Sequence, residues 1–137
     1  EKDYQQLKII ERVASDLDLG ARIVGCPIIR ESDGLAMSSR NRYLGAEDRA
    51  RALVLSRAIE RARDLAGAGE VSGPALVAAI AETVSGEPGV TLDYAAVVDA
   101  ETLEEMTLVQ RPCRALVAAR VGGARLIDNG AIQPPGR

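Results

Sequence analysis

The sequence predicts two pieces of different fold class: the last αβ unit of a doubly wound, Rossmann-like α/β sheet, and then a small α+β domain. An amphipathic helix, a tight turn and a nearly continuous apolar run over residues 21–29 predict the first piece. Two helical patterns followed by strand-like segments predict the second, with helices packed on an antiparallel sheet of about three strands. We therefore expect two domains, 1–29 and 30–137.

The first helix is predicted from apolar residues that recur every three to four positions within residues 4–17. Asp3 is a candidate N-cap, and Gly20 is expected to end the helix. The β-branched run after it, residues 21–29, is typical of a parallel strand buried on both faces. Ligands of doubly wound sheets bind beyond the carboxyl ends of such strands, so we expect a crevice beside Ile29.

Two helices are predicted in the second domain. The first covers residues 46–66, where one face is apolar and acidic residues occupy the first turn. The second begins at Ser72-Gly73-Pro74, a serine cap followed by a proline suited to a first helical turn. A glycine- and proline-rich segment at 86–89 is expected to end it.

Strands are predicted in the remaining third of the chain. Residues 90–98 alternate well enough for one strand that places Leu92 and Tyr94 on the same face. Gly122-Gly123 separates two further apolar runs and suits a type I′ hairpin turn. Asp128-Asn129-Gly130 is typical of another turn.

Composition excludes several classes of function. Basic and acidic residues, 17 and 20 in number, are interspersed and give a net charge of −3, so no field would attract nucleic acid or an anionic membrane. No apolar run reaches the roughly 18 residues of a membrane-spanning helix, and we expect a cytoplasmic protein. Histidine is absent and the two cysteines lie far apart, so we assign no metal ligand.

A possible anion site lies between the predicted strand and the helix that follows it. Ser38 and Ser39 are helix N-cap candidates, and Arg40 follows them directly. Helix N-terminal amides, hydroxyl groups and a guanidinium would together suit a polyphosphate. An ordinary capped helix with surface arginines explains the same residues, and the spacing alone leaves both interpretations open.

Two stretches, EKDYQQL at 1–7 and DGLAMSSRNRYL at 33–44, closely resemble the pantoate–β-alanine ligase (pantothenate synthetase) family. The segments around Asp93-Tyr94 and Ala131-Ile132 are also similar, so the resemblance covers essentially the whole chain. Family members are about twice as long, and their first half carries a motif with two histidines. We therefore expect this chain to be the carboxyl-terminal half, without activity by itself.

The resemblance implies an AMP-forming ligase of the nucleotidyltransferase superfamily, active in pantothenate and coenzyme A biosynthesis. Pantoate and ATP, carried with Mg²⁺ as a cosubstrate, would give pantoyl adenylate, which β-alanine then converts to pantothenate. The resemblance implies no prosthetic group and small-molecule partners alone. The full-length protein would be a homodimer, and residues 30–137 would act as a lid over the site.

Site residues are assigned by the same resemblance. The stretch 36–40 corresponds to the superfamily's KMSKS loop, and four residues would act catalytically on the phosphates: Lys2, Ser38, Ser39 and Arg40. These four would bind ATP together with Asp3 at the ribose, the backbone of Ile29 at the adenine, and Pro27 and Met37 in the nucleotide slot. Gln6 would bind pantoate.

Each of these residues also has an ordinary structural interpretation. Lys2 and Gln6 are typical of solvated surface positions, and Asp3 of a plain helix cap. At the level of function, a non-catalytic α+β module that binds nucleotide or a partner is an alternative to the ligase. A cytidylyl- or adenylyltransferase is a further alternative, which the Lys2-Asp3-x-x-Gln6 pattern disfavours because the glutamine suits a hydroxy acid.

Overall fold

The computed structural model describes residues 2–18, 20 and 23–135, without the side chains of Ser39 and Tyr43. Its helices are α1 (Tyr4–Asp16), α2 (Ala46–Ala52), α3 (Val54–Gly67) and α4 (Gly73–Ser85), and a short 3-10 helix spans Ser39–Tyr43. Its strands are β1 (Val90–Asp99), β2 (Cys113–Val121) and β3 (Ala124–Ile132). The predicted α+β domain with helices beside an antiparallel sheet is confirmed.

The three strands form one antiparallel sheet in the order β1-β2-β3, with β2 in the centre. Gly122-Gly123 joins β2 to β3, and Val121 pairs directly with Ala124 across the turn. Gly122 has a φ of +58°, a conformation that glycine adopts without steric cost and that two-residue hairpins require. The predicted hairpin is therefore confirmed, but its type I′ turn is not, because Gly123 lacks the positive φ that this turn requires.

Helices cover both faces of the sheet to different extents. On one face α3 and α4 build the main core, in which Leu76, Ile80 and Val117 are buried. On the other face α1 contributes a smaller cluster, where Tyr4 packs with Leu116. Burial of aliphatic side chains in the first layer supplies most of the hydrophobic stabilisation. The second layer attaches the amino-terminal segment to the sheet.

A bulge at Asp93 changes which side of β1 faces the main core. Leu92 pairs with Ala119 on the α3/α4 side, but Tyr94 pairs with Ala118 on the α1 side. One unpaired residue shifts the alternation of side chains by one position. The prediction that Leu92 and Tyr94 share a face was therefore wrong.

Three other predicted elements differ in the structure. The helix over 46–66 is interrupted at Leu53, so that α2 and α3 replace one helix. Residues 23–29 form neither helix nor strand, and residues 21 and 22 lie outside the described part of the chain, so the predicted strand over 21–29 is not found in the described residues. Residues 128–130 lie within β3 instead of a turn. A β-carbon on Gly130 would lie 2.5 Å from Ile59 Cγ2, so this glycine permits close packing of α3 on the strand.

Candidate functional site

An open cleft of about 470 Å³ lies where the amino-terminal segment, the 3-10 helix and the sheet meet. It is lined by residues from four parts of the chain: Lys2, Asp3, Gln5, Ser38, Arg40, Tyr94, Arg125 and Ile127. The structure thus brings together four of the sequence-predicted site residues, Lys2, Asp3, Ser38 and Arg40, which come from two distant stretches of the chain.

A bend of the backbone carries Ser38 and Arg40 to this cleft. The Met37 N–H donates to the Ile29 carbonyl oxygen at 2.8 Å, and the Glu31 N–H donates to the Leu35 carbonyl oxygen at 2.9 Å. These two bonds close a narrow loop over residues 29–37, in which Gly34 has a φ of +96°. The loop therefore fixes the start of the serine–arginine segment, residues 38–40, which follows it directly.

Ser38 caps the 3-10 helix, as the sequence predicted for one of its two serines. Its backbone is extended, and its Oγ accepts a hydrogen bond from the Arg40 main-chain N–H at 3.2 Å. The buried Asn41 side chain donates through Nδ2 to the Ala36 carbonyl oxygen at 3.0 Å, and this bond joins the 3-10 helix to the loop before it. The side chain of Ser39 lies outside the described part of the structure, so its predicted role stays a prediction.

Arg40 extends along the mouth of the cleft. Its Nη1 donates to the Arg125 carbonyl oxygen at 3.0 Å, and Arg125 Nε donates to Asp93 Oδ2 at 2.8 Å. The Arg40 side chain remains exposed. Its guanidinium has further N–H donors, which can bind a phosphate oxygen. Arg40 therefore faces the cleft as a cation that a ligand can reach.

Lys2 is half-buried between Asp128 and Arg40. Burial lowers the pKa of its ammonium group, and the nearby Arg40 charge lowers it further, while Asp128 and Asp3 oppose these effects. The net direction is a pKa below the usual lysine value. Lys2 and Arg40 thus place two cationic side chains on one cleft, which is unfavourable without an anion and favourable with one.

Two buried polar residues that the sequence analysis placed in a turn support this arrangement. Asp128 accepts two hydrogen bonds from Arg30, at 2.7 and 2.8 Å. Asn129 donates through Nδ2 to the Lys2 carbonyl oxygen at 2.7 Å. An Asp-Asn-Gly sequence is typical of turns, so no local signal distinguished these strand residues from a loop.

Asp3 lines the cleft, whereas four other predicted residues do not: Gln6, Pro27, Ile29 and Met37. Asp3 is at the N-cap position of α1 but makes no side-chain capping bond. Gln5, not Gln6, lines the cleft, where its Oε1 accepts from the Tyr94 hydroxyl at 3.2 Å. The other three predicted nucleotide contacts are exposed and do not line the cleft: Pro27, Ile29 and Met37.

Two kinds of feature are absent from the described residues, a metal-binding cluster and a membrane-spanning helix. No group of three or more histidine, cysteine, aspartate or glutamate side chains is assembled there in a way that could hold a metal ion. None of the helices in the described ranges combines the length and hydrophobicity needed to cross a membrane.

Comparison with known proteins identifies the family. A family model described as pantoate-beta-alanine ligase matches residues 1–131. The pantothenate synthetase of Rubrobacter xylanophilus is 54% identical over 133 residues, covering 96% of this chain and 46% of that protein. That of Acidobacterium capsulatum is 50% identical over 129 residues, covering 94% of this chain and 43% of its own length. The chain thus spans about half the length of the curated relatives that it matches.

Solved structures agree with this match. The crystal structure of pantothenate synthetase from Thermus thermophilus superposes with a TM-score of 0.92 at 43% identity, over 98% of this chain and 48% of that one. A Francisella tularensis pantoate-beta-alanine ligase, complexed with beta-gamma ATP and beta-alanine, gives a TM-score of 0.63 at 29% identity. It covers 95% of this chain and 41% of that one. The chain therefore belongs to the pantoate–β-alanine ligase family.

Proposed function

We propose that this chain is the carboxyl-terminal half of an ATP-dependent ligase that condenses pantoate with β-alanine, and that its cleft holds the phosphates of ATP. The observation that carries the proposal is the meeting of Lys2, Ser38 and Arg40 at one cleft, although Lys2 is remote in sequence from the other two. Two cations and a hydroxyl group suit a triphosphate. The names of the relatives supply the substrates.

The first step is adenylation of pantoate. The pantoate carboxylate attacks the α-phosphorus of ATP, the bond from that phosphorus to the bridging oxygen breaks, and pyrophosphate leaves with the electron pair. Lys2 and Arg40 stabilise the negative charge that develops on the pyrophosphate, and Ser38 donates a hydrogen bond to it. Ser39 is assigned the same role by the family resemblance.

The second step transfers the acyl group to an amine. The amine of β-alanine attacks the carbonyl carbon of pantoyl adenylate, the carbon–oxygen bond to the phosphate breaks, and AMP leaves while the amine loses a proton. The acyl adenylate is already activated, so positioning of the two reactants supplies most of the acceleration. Residues 30–137 would act as a lid that keeps water from the intermediate.

The rest of ATP and the pantoate are assigned to residues around the cleft. Asp3 would accept from the ribose hydroxyl groups, and Gln6 would bind pantoate. The backbone of Ile29 would meet the adenine edge, with Pro27 and Met37 beside it. The Ile29 carbonyl oxygen already accepts from Met37, but a carbonyl has a second lone pair. Magnesium enters with ATP as part of the substrate.

The chain alone is proposed to form no pantothenate, because its cleft supplies phosphate contacts but encloses neither substrate. The complete ligase would be a cytoplasmic homodimer that takes small molecules and no nucleic acid. Residues 1–29 would complete a Rossmann-like nucleotidyltransferase domain together with further chain. Pantothenate formation by the 137 residues by themselves would contradict the first of these statements.

The phosphate role is tested by calorimetric titration of MgATP into the full-length ligase, unvaried and with Arg40→Ala. Loss of one charge-assisted phosphate contact should weaken binding by about 1.5–3 kcal/mol, roughly ten- to a hundredfold. Arg12→Ala is the matched control, because Arg12 is exposed on α1 and pairs only with Asp16 in the described contacts. Equal affinities for all three proteins would refute the assignment. Binding of MgATP with no ligation by the unvaried protein would favour the non-catalytic module.

A further inference from the structure

Asp128 and Asn129 are neighbours on β3 whose side chains lie on opposite faces of the sheet. Asp128 pairs with Val117, which faces α3 and α4, whereas Asn129 pairs with Leu116, which faces α1. Their exposed fractions are 4% and 2%. Burial of a carboxylate or an amide is costly unless each polar atom has a partner. The partners therefore indicate what these side chains hold in place.

Asp128 holds the loop that leads to the serine–arginine segment. Its two carboxylate oxygens accept from Nη1 and Nη2 of Arg30, a bidentate pair with defined geometry. Arg30 Nη1 also donates to the Gly34 carbonyl oxygen at 3.1 Å, at the tip of the loop over residues 29–37. Asp128 thus fixes, through Arg30, the bend that presents Ser38 and Arg40.

Asn129 holds the other side of the cleft. Its Nδ2 donates to the Lys2 carbonyl oxygen at 2.7 Å, and its Oδ1 accepts from Arg114 Nε at 2.8 Å. Its main-chain N–H donates to Asp128 Oδ1 at 2.7 Å, which ties the Asp128 carboxylate to the backbone of Asn129. The backbone of Lys2 is therefore tied to the same point of β3 as the Arg30 pair.

We propose that Asp128 and Asn129 are positioning residues, which hold the serine–arginine segment and Lys2 so that both cations face one polyphosphate. Neither residue lines the cleft of about 470 Å³, and the charge of Asp128 is balanced by Arg30, so neither is expected to touch the phosphates. The inference rests on the proposed function, because it assigns the residues that assemble the same phosphate site.

The test is a double-variant cycle for MgATP affinity in the full-length ligase, measured by calorimetry. As a single substitution, Asn129→Ala is expected to weaken MgATP binding about tenfold, since Lys2 loses its fixed position. In a Lys2→Met background the same substitution should change affinity less than about twofold, because Asn129 acts through Lys2. Asp128→Asn is expected to behave likewise, with a loss that is clearly smaller in an Arg40→Ala background, because part of the effect of Asp128 runs through Arg40.

Tyr4→Phe is the matched control for a merely looser helix. The Tyr4 hydroxyl donates to the Ala100 carbonyl oxygen at 2.5 Å and so anchors the same end of α1 without touching Lys2. Its loss should lower the unfolding midpoint in urea and leave MgATP affinity unchanged. If Tyr4→Phe weakens binding as much as Asn129→Ala does, the effect is one of helix stability and the inference fails.

The other outcomes are also decisive. If Asn129→Ala weakens MgATP binding equally with and without Lys2→Met, and Asp128→Asn equally with and without Arg40→Ala, the positioning role is overturned. The proposed function would remain intact. An unvaried protein that takes up no MgATP would refute the proposed function and the inference together. Should Asn129→Ala fail to fold, Asn129→Ser in both backgrounds replaces it, with the Asp128→Asn cycle as the independent measurement.

Discussion

Gly73, at the start of α4, lies in backbone contact with Met106, and there is no room for a side chain between them. A β-carbon on Gly73 would clash with the Met106 carbonyl oxygen. The Gly73 N–H donates to the Thr107 carbonyl oxygen at 2.9 Å, so the segment that follows β1 is bonded directly to the amino-terminal end of α4. The glycine is required here for close approach, not for an unusual φ angle.

Gly73→Ala is therefore expected to destabilise the protein by about 2–3 kcal/mol, because backbone atoms cannot move aside as a flexible side chain can. Gly67→Ala is the matched control, a helical glycine in α3 where an added β-carbon would meet no atom within 4 Å. That change should be neutral or stabilise by up to about 1 kcal/mol. Urea unfolding of both variants measures the difference, and equal midpoints would contradict the proposed contact.

The two lysines of the chain, Lys2 and Lys8, allow an internal comparison of reactivity. Burial lowers the pKa of Lys2, with a further contribution from Arg40. For Lys8, burial opposes the change, but the hydrogen bond to Glu11 and the charge of Glu101 raise its pKa overall. At a pH near 9, still below the ordinary lysine pKa of about 10.4, Lys2 therefore holds the larger fraction of neutral amine.

An acylating reagent at that pH should label Lys2 several times faster than Lys8, as read from peptide masses over time. Saturating MgATP should slow the labelling of Lys2 and leave that of Lys8 unchanged, because only Lys2 lines the phosphate cleft. Protection of both lysines, or of neither, would contradict the assignment of Lys2.

Asp99 makes the stability depend on pH in the acid range. The hydrogen bond from Arg111, followed by the main-chain N–H groups of Thr102 and Glu101, holds the pKa of this carboxyl well below its usual range. A lowered folded-state pKa adds stability that is fully present above the unfolded-state value of about 4 and is lost as the pH falls through the folded-state value. The free energy of unfolding should therefore decline below about pH 4.

Asp99→Asn should lower stability at neutral pH and make the acid decline shallower, because one of the groups that take up protons on unfolding is removed. Urea midpoints between about pH 7 and about pH 2.5 measure both effects, at ionic strength held constant. Ser85→Ala, at the exposed end of α4, removes no ionisable group and should leave the slope unchanged. An unchanged slope for Asp99→Asn would show that other carboxylates dominate.

Local signals predicted the elements that depend on local chemistry. Ser72 caps α4 by accepting from the Ala75 N–H, Ser38 caps the 3-10 helix, and Gly122-Gly123 forms the hairpin turn. Each of these depends on one side chain or one φ angle within a few residues, so spacing in the sequence carries the information.

Features that depend on distant partners escaped prediction. Asp128-Asn129-Gly130 carries a strong turn signal, yet pairing with β2 and contact with α3 keep it in the strand. The apolar run at 23–29 has strand composition but forms no strand, since composition alone cannot supply a ladder of hydrogen bonds. In the site, Gln5 lines the cleft instead of Gln6, because the docking of α1 on the sheet sets its rotation and the sequence does not record that contact.

Because of the bulge at Asp93, the face that each side chain of β1 occupies depends on how many paired residues precede it in the strand. Just before the bulge, Leu92 packs against the core formed by α3 and α4. Just after it, the Tyr94 hydroxyl donates to the Gln5 side chain at the cleft. Deletion of Asp93 alone would leave Leu92 and Tyr94 paired with Ala119 and Ala118 and still on opposite faces. A one-residue insertion or deletion at a paired position before Tyr94 would instead turn its ring to the other face and withdraw it from the cleft. The position of Tyr94 at the candidate site thus depends on the number of paired residues that precede it in β1.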